Sequence, residues 1–317
     1  MRITLRMKAL EPISVGYESI GIETLLYSLP IVKEDGIAIE VPIIPGNSLR
    51  GVLRDEMAMQ FLEDVKAKLT EKCSEKGDKQ LKVHIGTLLS MFSGGILSGE
   101  DTEDRTLDIT DVMNNYVYPL LPLSIMGVAL KKVIIPGKLK VGIGYPLTEE
   151  TKDLLADLGV NPEKKVPPLS EILSSVLITR KDDTAKVMQL KELIAEIEGK
   201  PEDVKADDSA IQQRLYRQVV VPGTIFYSYI EDVIPMTDAE WGLVLKTLKR
   251  LNRVGGRVAG GLGKIKVDVE GVSDENSYIK SYEKFIYNNI ENISKALKTD
   301  PNSFFKKDSK SKKSAKG

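Results

Sequence analysis

The chain has 317 residues, of which 42% are apolar and 29% charged, and its net charge is −1. This composition supplies a core and excludes wholesale disorder, and the length favours one large domain or a core with insertions. The single cysteine, Cys73, and the single histidine, His84, exclude an intramolecular disulfide and cysteine-rich or histidine-rich metal sites. No apolar run approaches the roughly 18 residues of a membrane span, and the first residues lack a signal-peptide core. We expect a soluble, cytoplasmic protein with no cofactor and no membrane partner.

Apolar and polar residues alternate strictly at two distant places, residues 2–9 and residues 264–270. Alternation with a period of two is typical of a half-buried strand. Two such strands near opposite ends of the chain predict an antiparallel sheet with helices over one face. The predicted fold class is therefore α+β.

Helical periodicity lies between these strands. Residues 47–69 begin with two N-cap residue types and continue with apolar residues at helical spacing. Residues 238–253 repeat this spacing, and their basic residues fall on the face opposite to the apolar one. Shorter helices are predicted over 148–158 and 185–198, each of them ended by a glycine.

Two charged stretches, at about 70–115 and about 147–215, interrupt this pattern. We interpret them as insertions in one domain that spans residues 1–305. Residues 306–317 contain six lysines and one aspartate, which gives this segment a net charge of +5. Such a composition predicts a disordered basic tail. A solubilising role is favoured for this tail, and a nucleic-acid-binding arm is the alternative.

A dense cluster of positive charge lies inside the otherwise net acidic body of the chain. Residues 244–266 include no acidic residue and the following basic residues: Lys246, Lys249, Arg250, Arg253, Arg257, Lys264 and Lys266. Local charge of this kind indicates a site for a polyanion. A solvated helix face would have the same composition, so both interpretations stay open.

Residues 255–264 read Gly-Gly-Arg-Val-Ala-Gly-Gly-Leu-Gly-Lys. Glycines let a backbone approach a bulky ligand, and successive N–H groups can bind an anion. A P-loop is excluded because Val258 and Ile265 stand where that motif needs Gly and Ser or Thr. A dinucleotide fingerprint is excluded because the run leads from a helix into a strand, the reverse of that motif. A phosphate-binding loop is favoured over a flexible connection because basic residues flank the run.

Residues 44–54 place a Pro-Gly turn directly before the first predicted helix. The unpaired N–H groups of a first helical turn, together with Ser48 and Arg50, offer a phosphate site. Taken alone, an ordinary capped helix start would look the same.

The segment Ile-Pro-Gly-Asn-Ser-Leu-Arg-Gly-Val-Leu-Arg at 44–54 resembles a signature of the CRISPR-associated RAMP superfamily. The glycine-rich run lies where that superfamily has its other hallmark. Residues 221–226 resemble a strand start of its Cas-seven-type backbone subunits, and residues 179–183 resemble the beginning of their thumb. The resemblance implies a modified ferredoxin-like (RRM-like) palm with an antiparallel sheet, plus helical and loop insertions that form a thumb and a web-like region.

The function implied by this resemblance is that of a guide-RNA-binding backbone subunit in a multi-subunit CRISPR interference complex. Its partners would be the CRISPR guide RNA, further copies of itself along that RNA, other effector subunits and complementary target nucleic acid. Binding would use phosphates and ignore base sequence, since strands 2–9 and 264–270 lack the aromatic pattern of a stacking RRM surface. The predicted RNA-binding residues are Gly46, Asn47, Ser48, Arg50, Arg54, Arg180, Lys181, Arg250, Arg253, Gly255, Gly256, Arg257, Gly260, Gly261, Gly263 and Lys264.

No catalytic residue and no metal site are predicted, but two catalytic alternatives stay open. Target-cleaving backbone subunits of type III complexes carry an aspartate in the loop before the Ile-Pro-Gly motif. The candidate here is Asp35, which we interpret as a turn residue beside Gly36. If Asp35 acts, the chain is a metal-dependent RNA endonuclease. His84 is the candidate for precursor processing by general acid–base catalysis, and a structural role is favoured for it.

Overall fold

The computed structural model describes residues 1–72, 81–96, 105–131, 133–161, 165–181 and 212–307. The strands are β1 (Arg2–Ala9), β2 (Gly16–Ile20), β3 (Glu23–Leu26), β4 (Ser28–Val32), β5 (Ala38–Pro42), β6 (Gly95–Ile96), β7 (Arg105–Leu107), β8 (Val128–Leu130), β9 (Val133–Ile135), β10 (Leu139–Val141), β11 (Tyr145–Pro146), β12 (Leu173–Lys181), β13 (Gln212–Val220), β14 (Ile225–Asp232), β15 (Ile265–Glu270) and β16 (Phe305–Lys307). The helices are α1 (Gly46–Lys72), α2 (Ile85–Ser93), α3 (Ile109–Val112), α4 (Leu121–Met126), α5 (Lys152–Asp157), α6 (Leu169–Ile172), α7 (Asp238–Leu248) and α8 (Glu275–Lys298). A π-helical turn (Met113–Val117) follows α3, and 3₁₀ turns lie at Val258–Gly260 and Pro301–Phe304.

Strand β1 lies inside the main sheet, which we call the palm sheet and which has the order β10-β14-β1-β15, with β11 also paired to β14. Every pairing in this sheet is antiparallel. Leu5 of β1 lies opposite Val269 of β15, so the two strands predicted from alternation are direct neighbours. Ile3, Leu5 and Met7 are buried, while the residues between them remain partly exposed. The predicted α+β class and antiparallel sheet are confirmed.

Helices α1, α7 and α8 pack against one another, and their apolar residues share one core with the buried face of β1. In α1 the buried side chains recur every four residues, at Leu49, Leu53, Met57, Phe61 and Val65. This spacing places them on one helical face, and this apolar face packs against the core along the length of the helix. The helix predicted over 47–69 is confirmed by α1.

Two predicted helices are shorter than expected. The helix predicted over 238–253 ends at Leu248, because the chain then runs non-helically and Arg253 forms a strand-like bridge with Lys264. The helix predicted over 148–158 is reduced to α5, since the backbone N–H of Thr148 donates to Thr151 Oγ1 at 3.0 Å and forms a turn instead. The helix predicted over 185–198 lies outside the described residues.

Helix α8 was not predicted, although its sequence signal is clear. Asp274 caps its N-terminus by accepting a hydrogen bond from the Ser277 backbone N–H at 3.1 Å. Its buried side chains follow at helical spacing: Tyr282, Ile286, Ile290, Ile293 and Leu297. The helix adds a long apolar face to the core beside α1 and α7.

A second sheet has the order β12-β13-β3-β2, and β13 and β3 pair in parallel. The stretch predicted as an insertion at 147–215 therefore supplies β12 and the beginning of β13. Residues 182–211, which include much of the predicted thumb, lie outside the described residues. The other predicted insertion, at 70–115, contributes Met91 and Val112 to the main core.

Strand β16 pairs with β7 and contains Lys306 and Lys307, the first two residues of the predicted tail. This pairing extends strand structure two residues past the predicted boundary of 305, and residues 308–317 lie outside the described ranges. None of the helices in those ranges has the length and hydrophobicity of a membrane-spanning segment.

Candidate nucleic-acid interface

An open groove of about 480 Å³ lies between the second sheet, the start of α1 and the glycine-rich run. It is lined by residues 15–19, Thr24, Ser48, Val52, Arg217, Gly255 and Gly256. Three of the predicted RNA-binding residues, Ser48, Gly255 and Gly256, therefore meet at one surface. Arg217 and Tyr17 line the same groove and were not predicted.

Ser14 connects two walls of this groove. Its side chain is fully buried, its backbone carbonyl accepts from the Gly256 N–H at 3.0 Å, and its Oγ lies 3.3 Å from Arg217 Nη1. Because one buried residue contacts both the glycine-rich run and β13, the loop and the Arg217 guanidinium are held on opposite sides of the same opening.

The glycines of the run have two different roles. Gly255 and Gly263 have φ values of +78° and +93°, and a Cβ on either would lie within 2.5 Å of a backbone carbonyl oxygen. Those two positions require glycine, because the base of the loop packs backbone against backbone. Gly256, Gly260 and Gly261 are exposed, and a Cβ on any of them would meet no atom closer than 3.9 Å. The loop tip is thus open to a ligand.

Arg217 lines the groove, and Arg257, the residue after Gly256 of the lining, lies near it. Partial burial lowers the pKa of Arg217, and the nearby positive charge of Arg257 lowers it further. Arg257 is exposed and has a φ of +60°, a conformation uncommon for a residue other than glycine. Within the described ranges neither guanidinium forms an ion pair with a carboxylate. The two repelling cations would both be stabilised by an anion bound between them.

The start of α1 contributes fewer residues to the groove than the sequence predicted. Gly46 lies against the palm sheet, since its Cβ would be 2.5 Å from the Val141 carbonyl oxygen, and this close approach explains the glycine. Asn47 is exposed, and the half-buried Ser48 faces the groove.

The phosphate role predicted for Arg50 and Arg54 needs correction, because both guanidiniums point into the protein. Arg50 Nη2 and Arg54 Nη2 donate to the Met126 carbonyl at 2.7 and 2.8 Å, and Arg54 Nη1 donates to the Gly127 carbonyl at 3.1 Å. Arg50 also donates to the Leu139 carbonyl. Burial lowers the pKa of both arginines, and the charge of Arg50 lowers that of Arg54 further. These side chains satisfy carbonyls at the C-terminus of α4, where positive charge is favourable.

Replacing Arg54 with alanine is therefore expected to lower the free energy of unfolding by about 1–3 kcal/mol, since it removes the arginine donor of the Gly127 carbonyl and one of the two arginine donors of the Met126 carbonyl. Urea denaturation measures this change. The control is Arg253→Ala, which removes an exposed side chain and should cost under about 1 kcal/mol. An Arg54→Ala protein with unchanged stability but weaker RNA binding would restore the phosphate role.

The basic face predicted on α7 is also corrected, because acidic residues of α1 and α8 neutralise most of it. Arg250 forms ion pairs with Glu56 and Glu63, and Arg253 lies 3.6 Å from Glu56. In the same way, Lys246 pairs with Asp64 at 2.6 Å and Lys249 with Glu275 at 2.7 Å. The stripe faces neighbouring helices, and the positive charge left for a polyanion lies at the loop, on Arg257 and the exposed Lys264.

Two further predicted contacts, Arg180 and Lys181, are the last residues of β12. Their backbone pairs with Gln213 and Gln212 of β13, and their side chains lie outside the described region of the chain.

Asp35 occupies the turn between β4 and β5, as interpreted from the sequence. Its Oδ1 accepts from the Ile37 N–H at 2.9 Å and its Oδ2 from Lys33 Nζ at 2.8 Å. The hydrogen bond from Lys33, followed by that from Ile37, lowers the pKa of this carboxyl. In the described ranges no three His, Cys, Asp or Glu side chains are grouped to hold a metal.

His84 caps helix α2. Its Nδ1 accepts from the Gly86 N–H at 3.1 Å and lies 4.0 Å from an Asp300 carboxylate oxygen. This hydrogen bond satisfies one of the unpaired N–H groups at the start of α2, which is a structural role.

The antiparallel palm sheet, the helix start after Ile-Pro-Gly and the glycine-rich loop before β15 together define a particular class of α+β protein. The chain matches the model of the RAMP superfamily over residues 31–266, and it belongs to that superfamily.

A solved CRISPR-complex chain shares this fold at low sequence identity. A chain of a "Type IV-B CRISPR Complex" has a TM-score of 0.53 and 17% identity, with 86% of this chain and 92% of that chain covered. A more distant match, Csc2 of Thermofilum pendens, has a TM-score of 0.38 and 15% identity, with 96% and 82% covered. A comparison with curated protein sequences gives no match.

Proposed function

We propose that the chain is a backbone subunit of a multi-subunit CRISPR interference complex, that it binds guide RNA through phosphates independently of base sequence, and that copies of it assemble along the RNA. The observation that carries the proposal is the groove in which Ser48, the Gly255–Gly256 backbone and Arg217 converge in a RAMP superfamily chain. The similar fold of a chain from a Type IV-B CRISPR complex supports an assembly with other CRISPR subunits, and complementary target nucleic acid is proposed as a further partner.

The chemistry of the groove supports phosphate contacts. Arg217 and Arg257 offer guanidinium groups, and the exposed loop tip at Gly256 allows a backbone to approach closely. Guanidinium groups recognise phosphate through paired hydrogen bonds and carry no base preference of their own. A guide of arbitrary sequence needs this kind of tolerance.

The salt dependence of RNA binding tests the proposal, and we expect this dependence to be strong. Single replacement of Arg217 or Arg257 with alanine should weaken the binding of every single-stranded RNA about equally. Each change should also reduce the slope of log affinity against log salt by roughly 0.7, the value for one phosphate contact on a single strand. Fluorescence anisotropy at several salt concentrations measures both quantities.

The control for this test is Lys249→Ala, which removes an exposed lysine that pairs with Glu275 and does not line the groove. Its salt slope should match that of the unmodified protein. A variant at Arg217 or Arg257 that alters base preference while the slope stays constant would contradict the phosphate assignment.

Nuclease footprinting on long RNA tests assembly. Several copies should protect RNA in regular increments, and replacing residues 182–211 with a short linker should abolish the regular pattern, because this segment is proposed as the thumb that reaches a neighbour. A strictly one-to-one complex on long RNA would overturn the backbone role.

A cleavage assay tests the endonuclease alternative. If complementary RNA is cut in the presence of Mg²⁺ and this cleavage is lost in Asp35→Asn, the endonuclease alternative replaces the proposal.

A further inference from the structure

The side chain of Tyr17 is 69% exposed although it lines the groove. Tyr27 contacts its ring edge to face, with ring centroids 5.4 Å apart and an angle of 87° between the ring planes. Such a contact covers at most one face of the Tyr17 ring. The ring is therefore held in place while a broad aromatic surface remains open to the groove.

The neighbours of Tyr17 divide the groove by charge. Gly16 precedes Tyr17 in the chain. If Gly16 carried a Cβ, this atom would lie 3.3 Å from Arg217 Nη1, so the Arg217 guanidinium lies close to the backbone beside Tyr17. Arg257 follows Gly256 of the groove lining and lies near enough to Arg217 for its positive charge to lower the pKa of Arg217. Glu18, which also lines the groove, is exposed and would repel a phosphate from its own position. A phosphate is favoured at the two arginines, which leaves the Tyr17 ring for the base.

We propose that the groove holds one unstacked nucleobase of single-stranded RNA against the ring of Tyr17, with an adjoining phosphate at Arg217 and Arg257. This inference rests on the proposed function, since it requires RNA in the groove. An aromatic ring stacks on any base, and a groove of about 480 Å³ has the size of a small-ligand site. Tyr17 is the aromatic residue among those that line the groove, so β2 of the second sheet supplies the aromatic surface there.

The test compares Tyr17→Ala and Tyr17→Phe in the full chain. Loss of the ring should weaken binding of a mixed-sequence single-stranded RNA roughly 5- to 100-fold, whereas phenylalanine should keep affinity within about twofold. The salt slope should stay constant in both variants, because no phosphate contact is removed.

An abasic oligoribonucleotide of the same length gives the specific readout. The unmodified protein should bind it more weakly than normal RNA, and this difference should shrink by the same roughly 5- to 100-fold factor in Tyr17→Ala. If the alanine variant fails to fold, Tyr17→Leu keeps apolar bulk beside Tyr27 but offers no ring, and the same loss is expected. Equal discrimination between normal and abasic RNA before and after these changes would overturn the inference.

The two proposals fail in distinguishable ways. If the unmodified protein does not bind RNA, the proposed function is wrong and the inference falls with it. If RNA binding is salt-dependent and falls in Arg257→Ala, but Tyr17→Ala binds normally, only the inference is wrong.

Discussion

Replacing Lys138 with methionine is expected to lower the free energy of unfolding by about 3–5 kcal/mol, because it breaks a buried ion pair on one side only. The Glu240 carboxylate belongs to a residue that is 2% exposed, and it accepts from Lys138 Nζ and Ser124 Oγ, both at 2.6 Å. Methionine keeps the length of the lysine stem, so the loss reports the missing charge. Urea denaturation followed by circular dichroism measures it.

The matched control is Lys140→Met, two residues along the chain. Lys140 pairs with Glu231 at 2.7 Å, but its side chain is 48% exposed, so its removal should cost far less stability than the removal of Lys138. The double change Lys138→Met with Glu240→Gln should recover some of the loss, since no unpaired charge then remains buried. Equal losses from the two lysine changes would contradict the role assigned to Glu240.

This ion pair matters for the groove because Glu240 also completes the N-terminal cap of α7. Its Oε2 accepts from the Thr237 backbone N–H at 2.8 Å, and Thr237 caps the helix in return. Six non-helical residues connect α7 to the glycine-rich loop. Neither Lys138 nor Glu240 lines the groove. We therefore expect the Lys138→Met change to lower the apparent RNA affinity only by reducing the fraction of protein that is folded.

Replacing Gly263 with alanine is expected to cost at least about 2 kcal/mol of unfolding free energy and to displace the loop. Its φ is +93°, and a Cβ would lie 2.4 Å from the Val254 carbonyl oxygen. A side chain in this conformation is strained by about 1–3 kcal/mol before any collision is counted. The displaced loop should also weaken RNA binding beyond the loss of folded protein.

Two other glycines of the same loop separate the cost of backbone strain from the cost of the Cβ collision. Gly261 has a φ of +79° with open space around its Cβ position, so alanine there should cost only the backbone strain of about 1 kcal/mol. Gly256 has open space and no positive φ, and Gly256→Ala should change stability by under about 0.5 kcal/mol. If Gly256→Ala destabilised the protein as much as Gly263→Ala, the assignment of loop base and loop tip would be wrong.

The sequence by itself determined the elements whose signal repeats over a few residues. Alternation at 2–9 and 264–270 predicted β1 and β15, because successive strand residues face opposite sides wherever the strand lies. The spacing of Leu49, Leu53 and Met57 predicted α1 for the same local reason. The Ile-Pro-Gly segment with the glycine-rich run was enough to indicate the superfamily, which the match over 31–266 then showed.

Only the tertiary structure decided which charged side chains are available to a ligand. Arg54 satisfies a carbonyl more than 70 residues away at Met126, and Arg250 meets Glu56 across two packed helices. The parallel pairing of β13 with β3 brings Arg217 beside Tyr17, although 200 residues separate them. A charge pattern in one helix cannot reveal these partners, because the free energy of a charged group depends on what distant segments place around it.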